Sequence, residues 1–187
     1  MLLFSLSPER YLYSVRSPNN GCMRTVIIYH SDSGHTREVA EYIARQTEAD
    51  LVQVRSTFPY TPFSRAVTGV RRALSGTPDP IEQREIDVAG YDCVVIGSPV
   101  WAGHPTPVIN GAVDRLMNCS GKAGVAFVTC SLVSGGAAGI LSRRMKERGL
   151  QVKGSLIVHG SQVRDYTYLN KLTAIINRPW YGDVKVY

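Results

Sequence analysis

The sequence predicts an α/β domain, a three-layer sandwich in which a five-stranded parallel sheet lies between two layers of helices. Two observations predict it. Short, continuously apolar runs alternate five times with segments whose apolar residues recur at helical spacing, and glycine- or hydroxyl-rich loops follow the first, third and fourth of those runs. Strands that are apolar throughout are buried on both faces, and the crossovers that join them are right-handed.

Residues 25–29 read Thr-Val-Ile-Ile-Tyr and form the first strand. In the helix that follows, Val39, Ala40, Ile43 and Ala44 share one face. Residues 51–54 are a brief second strand, a helix is predicted over 64–74, and the stretch from Gly76 to Pro80 breaks the chain. The third strand, 93–96, belongs at the sheet centre. Residues 105–117 read as the clearest helix, because Val108, Ile109, Ala112, Val113, Leu116 and Met117 fall on one face and prolines sit in the first turn. Residues 125–128 make the fourth strand, and the helix over 137–148 stops at Gly149. Residues 155–158 are the fifth strand, and Leu169, Leu172, Ile175 and Ile176 give the last helix its apolar face.

Ser31, Asp32, Ser33, Gly34, His35 and Thr36 stand where the first strand gives way to a helix. The first amides of that helix have no internal partners and lie at the positive end of its dipole, which suits a phosphate dianion. Hydroxyls of Ser31, Ser33 and Thr36 add donors, and Gly34 lets the backbone come close. A simple capped helix start is the alternative for this loop alone. Neither the Walker pattern nor a Gly-x-Gly-x-x-Gly turn is present, which argues against nucleotide hydrolysis and a dinucleotide fingerprint.

In parallel sheets the ligand sits beyond the carboxyl ends of the strands, and the other two loops lie at that edge. Ser98, Pro99, Val100, Trp101, Ala102 and Gly103 follow the third strand and carry a tryptophan where the core cannot readily bury it. An exposed aromatic there suits stacking on a planar ring; a tryptophan wedged against its own helix is the alternative. Thr129, Cys130, Ser131 and Gly135 belong to a loop whose amides and hydroxyls can read the polar edge of a heterocycle, a composition shared with ordinary strand-to-helix turns.

With 187 residues the chain has room for one domain. No apolar run is long enough to cross a bilayer, and the opening Met-Leu-Leu-Phe-Ser-Leu lacks a basic leader, so a cytoplasmic protein is expected. Residues 1–22 show no pattern that joins the core and are expected to be a dispensable extension before a domain at 23–187, with Met23 as initiator. Cys22, Cys93, Cys119 and Cys130 have no Cys-x-x-Cys spacing, so neither a zinc site nor a redox dithiol is expected. The net charge of +6 gathers in part at Arg65, Arg71 and Arg72 and at Arg143, Arg144, Lys146 and Arg148. With no nucleic-acid motif beside it, that charge reads as solvated helix faces or as a surface for an acidic protein partner. His35 and His104 can exchange protons near neutral pH, yet no nucleophile or titrating partner accompanies them, so no catalytic residue is assigned.

The Tyr-x-Ser-x-Ser-Gly-x-Thr stretch at Tyr29 to Thr36 resembles the FMN phosphate loop of flavodoxins, and Gly-Ser-Pro-Val-Trp-Ala-Gly at Gly97 to Gly103 resembles their flavin-stacking loop. The resemblance spans about 24–177. It implies a flavodoxin-like sandwich of strand order 2-1-3-4-5, noncovalent FMN and one-electron transfer to redox protein partners, by a monomer or weak homodimer. It also implies phosphate contacts at Ser31, Ser33, Gly34, His35 and Thr36, isoalloxazine contacts at Ser98 to Gly103, and ring-edge contacts at Thr129, Cys130, Ser131 and Gly135. A peptide near Ala102-Gly103 would turn its carbonyl toward the flavin on reduction, with Gly103 as the hinge. The chain departs from the family in being basic rather than acidic, which implies a partner with an acidic docking face. It also carries Leu132 and Val133 where many members place an aromatic. An NAD(P)H-dependent FMN or quinone reductase on the same fold is the main alternative, and a flavodoxin-like interaction module without flavin is the other.

Overall fold

A computed structural model describes residues 23–178 except 59, 62 and 63; the extension at 1–22 lies outside the described residues. Five long strands form the sheet: β1 (Thr25–Tyr29), β2 (Asp50–Gln53), β4 (Cys93–Trp101), β7 (Ala123–Cys130) and β8 (Gln151–His159). Their order is β2-β1-β4-β7-β8 and all pair in parallel, so among the long strands the order is the expected 2-1-3-4-5. The short strand β5 (His104–Pro105) folds back on β4 as a hairpin, and β3 (Ile86–Asp87) pairs with β6 (Leu116–Met117) apart from the sheet.

Alternate residues of each strand feed two cores, as the period of two requires. On one face Val26, Ile28, Val94, Ile96 and Val128 meet α3 (Pro107–Asp114) and α4 (Ala137–Glu147) through Ile109, Val113, Leu141 and Met145. On the other, Ile27, Val95, Val125 and Phe127 meet α1 (His35–Thr47) and α5 (Tyr166–Asn177) through Val39, Ile43, Leu169 and Leu172. Full burial of one such side chain is worth about 1.5–3 kcal/mol. Gly97 is required in β4, because a Cβ there would stand 2.2 Å from the Phe127 ring.

Two expected helices differ from the sequence reading. In place of one helix over 64–74, a π-helical turn (Arg65–Gly69) leads into a six-residue α2 (Val70–Ser75). The helix expected over 105–117 is α3 alone. Pro105 is engaged in β5, Thr106 caps the helix by accepting from the Ile109 amide at 3.4 Å, and Leu116 and Met117 leave it to pair with β3. The apolar spacing persists because both stretches bury toward the same core, which periodicity alone cannot separate from helix continuation. No helix among the described residues is long and apolar enough to cross a membrane.

Candidate functional site

β1 ends at the carboxyl edge of the sheet, and Gly34 at φ 95° turns the chain into α1. A Cβ at Gly34 would meet nothing within 4 Å, so the glycine answers to its left-handed backbone and not to crowding. No side chain caps Gly34, although the Ser31 hydroxyl accepts from the Arg37 amide at 3.3 Å. Among the described residues, no backbone carbonyl accepts from the amides of Ser33, Gly34, His35 or Thr36. Amides without carbonyl partners at the positive end of a helix can serve an anion.

β4 runs on through Trp101 and β7 through Cys130, so Ser98 to Trp101 and Thr129 to Cys130, expected as loop, are strand ends; the three segments are joined pairwise. Asp32 of the first accepts the indole N–H of Trp101 in the second at 3.0 Å. Thr36 of the first shares a 2.7 Å hydroxyl contact with Thr129 of the third. The second and third meet glycine to glycine, since a Cβ on Gly135 would lie 2.5 Å from the Gly103 Cα. Gly103 and Gly135 both have positive φ, 80° and 52°, which is why neither position suits a side chain.

Around this closure the expected site residues divide by exposure. Ser33, Asp32, Ala102, Ser131 and Gly135 are exposed, whereas Ser31, Gly34, His35, Pro99, Val100 and Gly103 are half-buried. Ser98 is buried, its hydroxyl donating to the Pro99 carbonyl at 2.8 Å and accepting from the Thr106 amide at 3.0 Å. Thr36, Thr129 and Cys130 are buried as well. Burial pushes the Cys130 thiol up, and His159 Nδ1 lies 3.4 Å from its sulfur. A thiol held neutral in this way serves packing rather than nucleophilic chemistry.

Trp101 departs from the expectation of exposure, because it is only 8% exposed. Tyr60 stands edge-on to it with ring centroids 5.3 Å apart, and a Cβ on Gly69 would come within 2.6 Å of its ring. Tyr60 in turn donates to Asp79 at 2.7 Å, and Arg72 approaches the other carboxylate oxygen at 3.0 Å as a charge contact. Burial, followed by the hydrogen bond to Asp79, pushes the Tyr60 phenol up, so it stays a donor. Tyr60, Gly69 and Asp79 were not singled out in the sequence. They come from the stretch between β2 and β3, where local pattern predicts a helix at 64–74 but carries no sign of the contacts with Trp101. His30 was also missed, as it continues an apolar strand by one residue.

A separate cavity of about 300 Å³, lined by Val26, Asp50, Val52, Ile86 and Tyr91, includes the amino ends of β1 and β2 and none of the three loops. It has no part in the site.

A parallel sheet of this order, with three segments converging at its carboxyl edge, defines a doubly wound α/β protein, a class whose ligands sit at the switch point of the strand order. The chain belongs to the flavodoxin family, whose model, described as Flavodoxin, matches residues 24–165. The fold resembles a flavoprotein from Lactobacillus acidophilus NCFM solved in complex with FMN, at 25% identity and TM-score 0.63, covering 78% of this chain and 99% of that one. It also resembles two-electron reduced flavodoxin of Megasphaera elsdenii, at 20% identity and TM-score 0.55, covering 81% and 97%. Among curated proteins, an NAD(P)H dehydrogenase (quinone) of Acidithiobacillus ferrooxidans (strain ATCC 53993 / BNL-5-31) is 26% identical over 125 residues. That match spans 60% of this chain and 60% of the length of the relative.

Proposed function

We propose that this chain binds FMN noncovalently in the cleft and carries electrons between redox protein partners. The observation that carries the reading is the pairwise closure of the three loops around amides that no backbone carbonyl engages among the described residues. Ser31, Ser33, Gly34, His35 and Thr36 would hold the phosphate, the backbone of residues 98–103 would flank the isoalloxazine, and Thr129, Cys130, Ser131 and Gly135 would meet the ring edge. Bound FMN supplies one-electron chemistry, while the protein positions it and sets its potentials. The reading places a monomer or weak homodimer in the cytoplasm, with a partner whose docking face is acidic.

A second reading, an NAD(P)H-dependent reductase, draws on the name of the curated relative and on Leu132 and Val133, which are 86% and 75% exposed. Neither is a covering aromatic, which leaves room for a second substrate over the flavin. Anaerobic reductive titration of the purified protein tests both. Flavin absorbance that bleaches in two one-electron steps, with no NADPH consumption in the presence of a quinone, supports the carrier. Steady NADPH oxidation without added reductase supports the enzyme, and absence of flavin binding removes both.

A further inference from the structure

The link between the first and second loops contains a hydrogen-bond chain that begins inside the protein. His30, 9% exposed, follows β1, and its Nδ1 lies 3.2 Å from the Val54 carbonyl. A carbonyl only accepts, so Nδ1 carries a hydrogen. Its Nε2 lies 3.2 Å from Asp32 Oδ1, and a carboxylate also only accepts. The His30 ring thus bridges the Val54 carbonyl and the Asp32 carboxyl group. The other oxygen, Oδ2, takes the Trp101 indole N–H at 3.0 Å.

This arrangement bears on a difficulty in the reading given above, on which the inference rests. A carboxylate in a loop that receives a phosphate dianion repels the ligand. Here the Asp32 oxygens face away from that task, one toward His30 and one toward Trp101. Tyr60 at the edge of the indole and Gly69 beneath it leave the ring little freedom once its N–H is fixed. The second loop thus takes its position from the end of β1.

We propose that Asp32 is a positioning residue: held by His30, it fastens Trp101, and with it the flavin-flanking loop, to the phosphate loop, and does not itself bind phosphate.

The test uses the full chain with Trp180→Phe, which leaves Trp101 as the one tryptophan, and follows its indole N–H in proton–nitrogen correlation spectra beside titrations with FMN and riboflavin. Asp32→Ala is expected to move the indole resonance upfield and to weaken both flavins by the same factor, about three- to tenfold for a lost charge-assisted hydrogen bond. Asp32→Asn, which keeps an acceptor for the indole, is expected to restore most of both signals. An indole resonance unmoved in Asp32→Ala would overturn the proposal. So would a loss confined to FMN, because riboflavin lacks the phosphate and such a loss would make Asp32 a phosphate contact. Should Asp32→Ala not fold, an indole shift in Asp32→Asn as large as that of the free amino acid would overturn it equally. If the unsubstituted protein binds neither flavin, the electron-carrier reading falls, and the indole resonance still decides whether Asp32 holds Trp101.

Discussion

At the scale of single residues, burial changes what several substitutions should do. Trp101→Ala opens a cavity in a packed site, so we expect a stability loss of about 3 kcal/mol in urea unfolding of the flavin-free protein, in addition to weaker FMN binding. Stability equal to wild type would mean that the indole is not packed in solution. Thr36 and Thr129 share one hydrogen bond in a buried place, and removing either leaves the other unsatisfied at a cost of about 1–3 kcal/mol. Thr36→Val and Thr129→Val are each expected to destabilise, and the double variant to cost less than the sum. A strictly additive cycle would refute the pairing. Thr36→Val should also weaken FMN more than riboflavin if its hydroxyl and amide serve the phosphate. Cys93, fully buried at the start of β4, has its thiol pushed up by desolvation from 9.0 to about 11. Below pH 9 the thiol is neutral in both states, and above it the unfolded chain ionises first. Stability therefore falls as pH rises from 9 to 11, by roughly 2–3 kcal/mol at most. Comparing urea midpoints of wild type and Cys93→Ala at pH 8 and pH 10.5 checks this, with the difference between them narrowing at the higher pH.

At the scale of elements, the hairpin between β4 and β5 revises the expected hinge. Its two-residue loop is Ala102 and Gly103, and both have positive φ, 47° and 80°, the signature of a type I′ turn. Turning over the peptide between them converts the turn to type II′, whose first central position is glycine territory. Ala102, not Gly103, would meet that steric cost. Ala102→Gly is therefore expected to raise the first one-electron potential of bound FMN by tens of millivolts, on the order of the 1 kcal/mol that a strained backbone holds. Equal potentials in paired potentiometric titrations would count against it. That turn was legible only as a glycine beside an alanine. The five long strands were legible because β-branched, continuously apolar runs have few other uses in a chain of this size. The first loop was legible because it follows β1 directly, whereas the starts of the other two were read too early, since β4 continues to Trp101 and β7 to Cys130. Leu116 was placed on the right core and in the wrong element, since helix and strand bury it alike. Tyr60 and His30 were illegible because their roles depend on contacts with Trp101 and Asp32, 41 and 2 residues away, that only the folded chain brings to bear.

At the scale of the whole molecule, charge and closure set the behaviour. Asp32 is the only acid in the three loops, and the chain carries +6. A unit charge about 10 Å from the flavin at an effective dielectric near 20 is worth roughly 1.7 kcal/mol before screening, on the order of 70 mV. The second one-electron potential is expected to be less negative than that of an acidic flavodoxin measured side by side, and partner binding to weaken with salt. A second potential as low as the acidic protein's would overturn the electrostatic argument. The pairwise ties among the loops have a kinetic and entropic meaning as well. Loops ordered by the fold have already lost the freedom that a ligand would otherwise have to take from them, so the cleft is preorganised. On the proposed reading, FMN capture would then be a docking event into a standing cradle, fast to form and free of a folding step. Each tie removed returns disorder to the empty state and shows itself as slower capture before it shows itself in the bound structure.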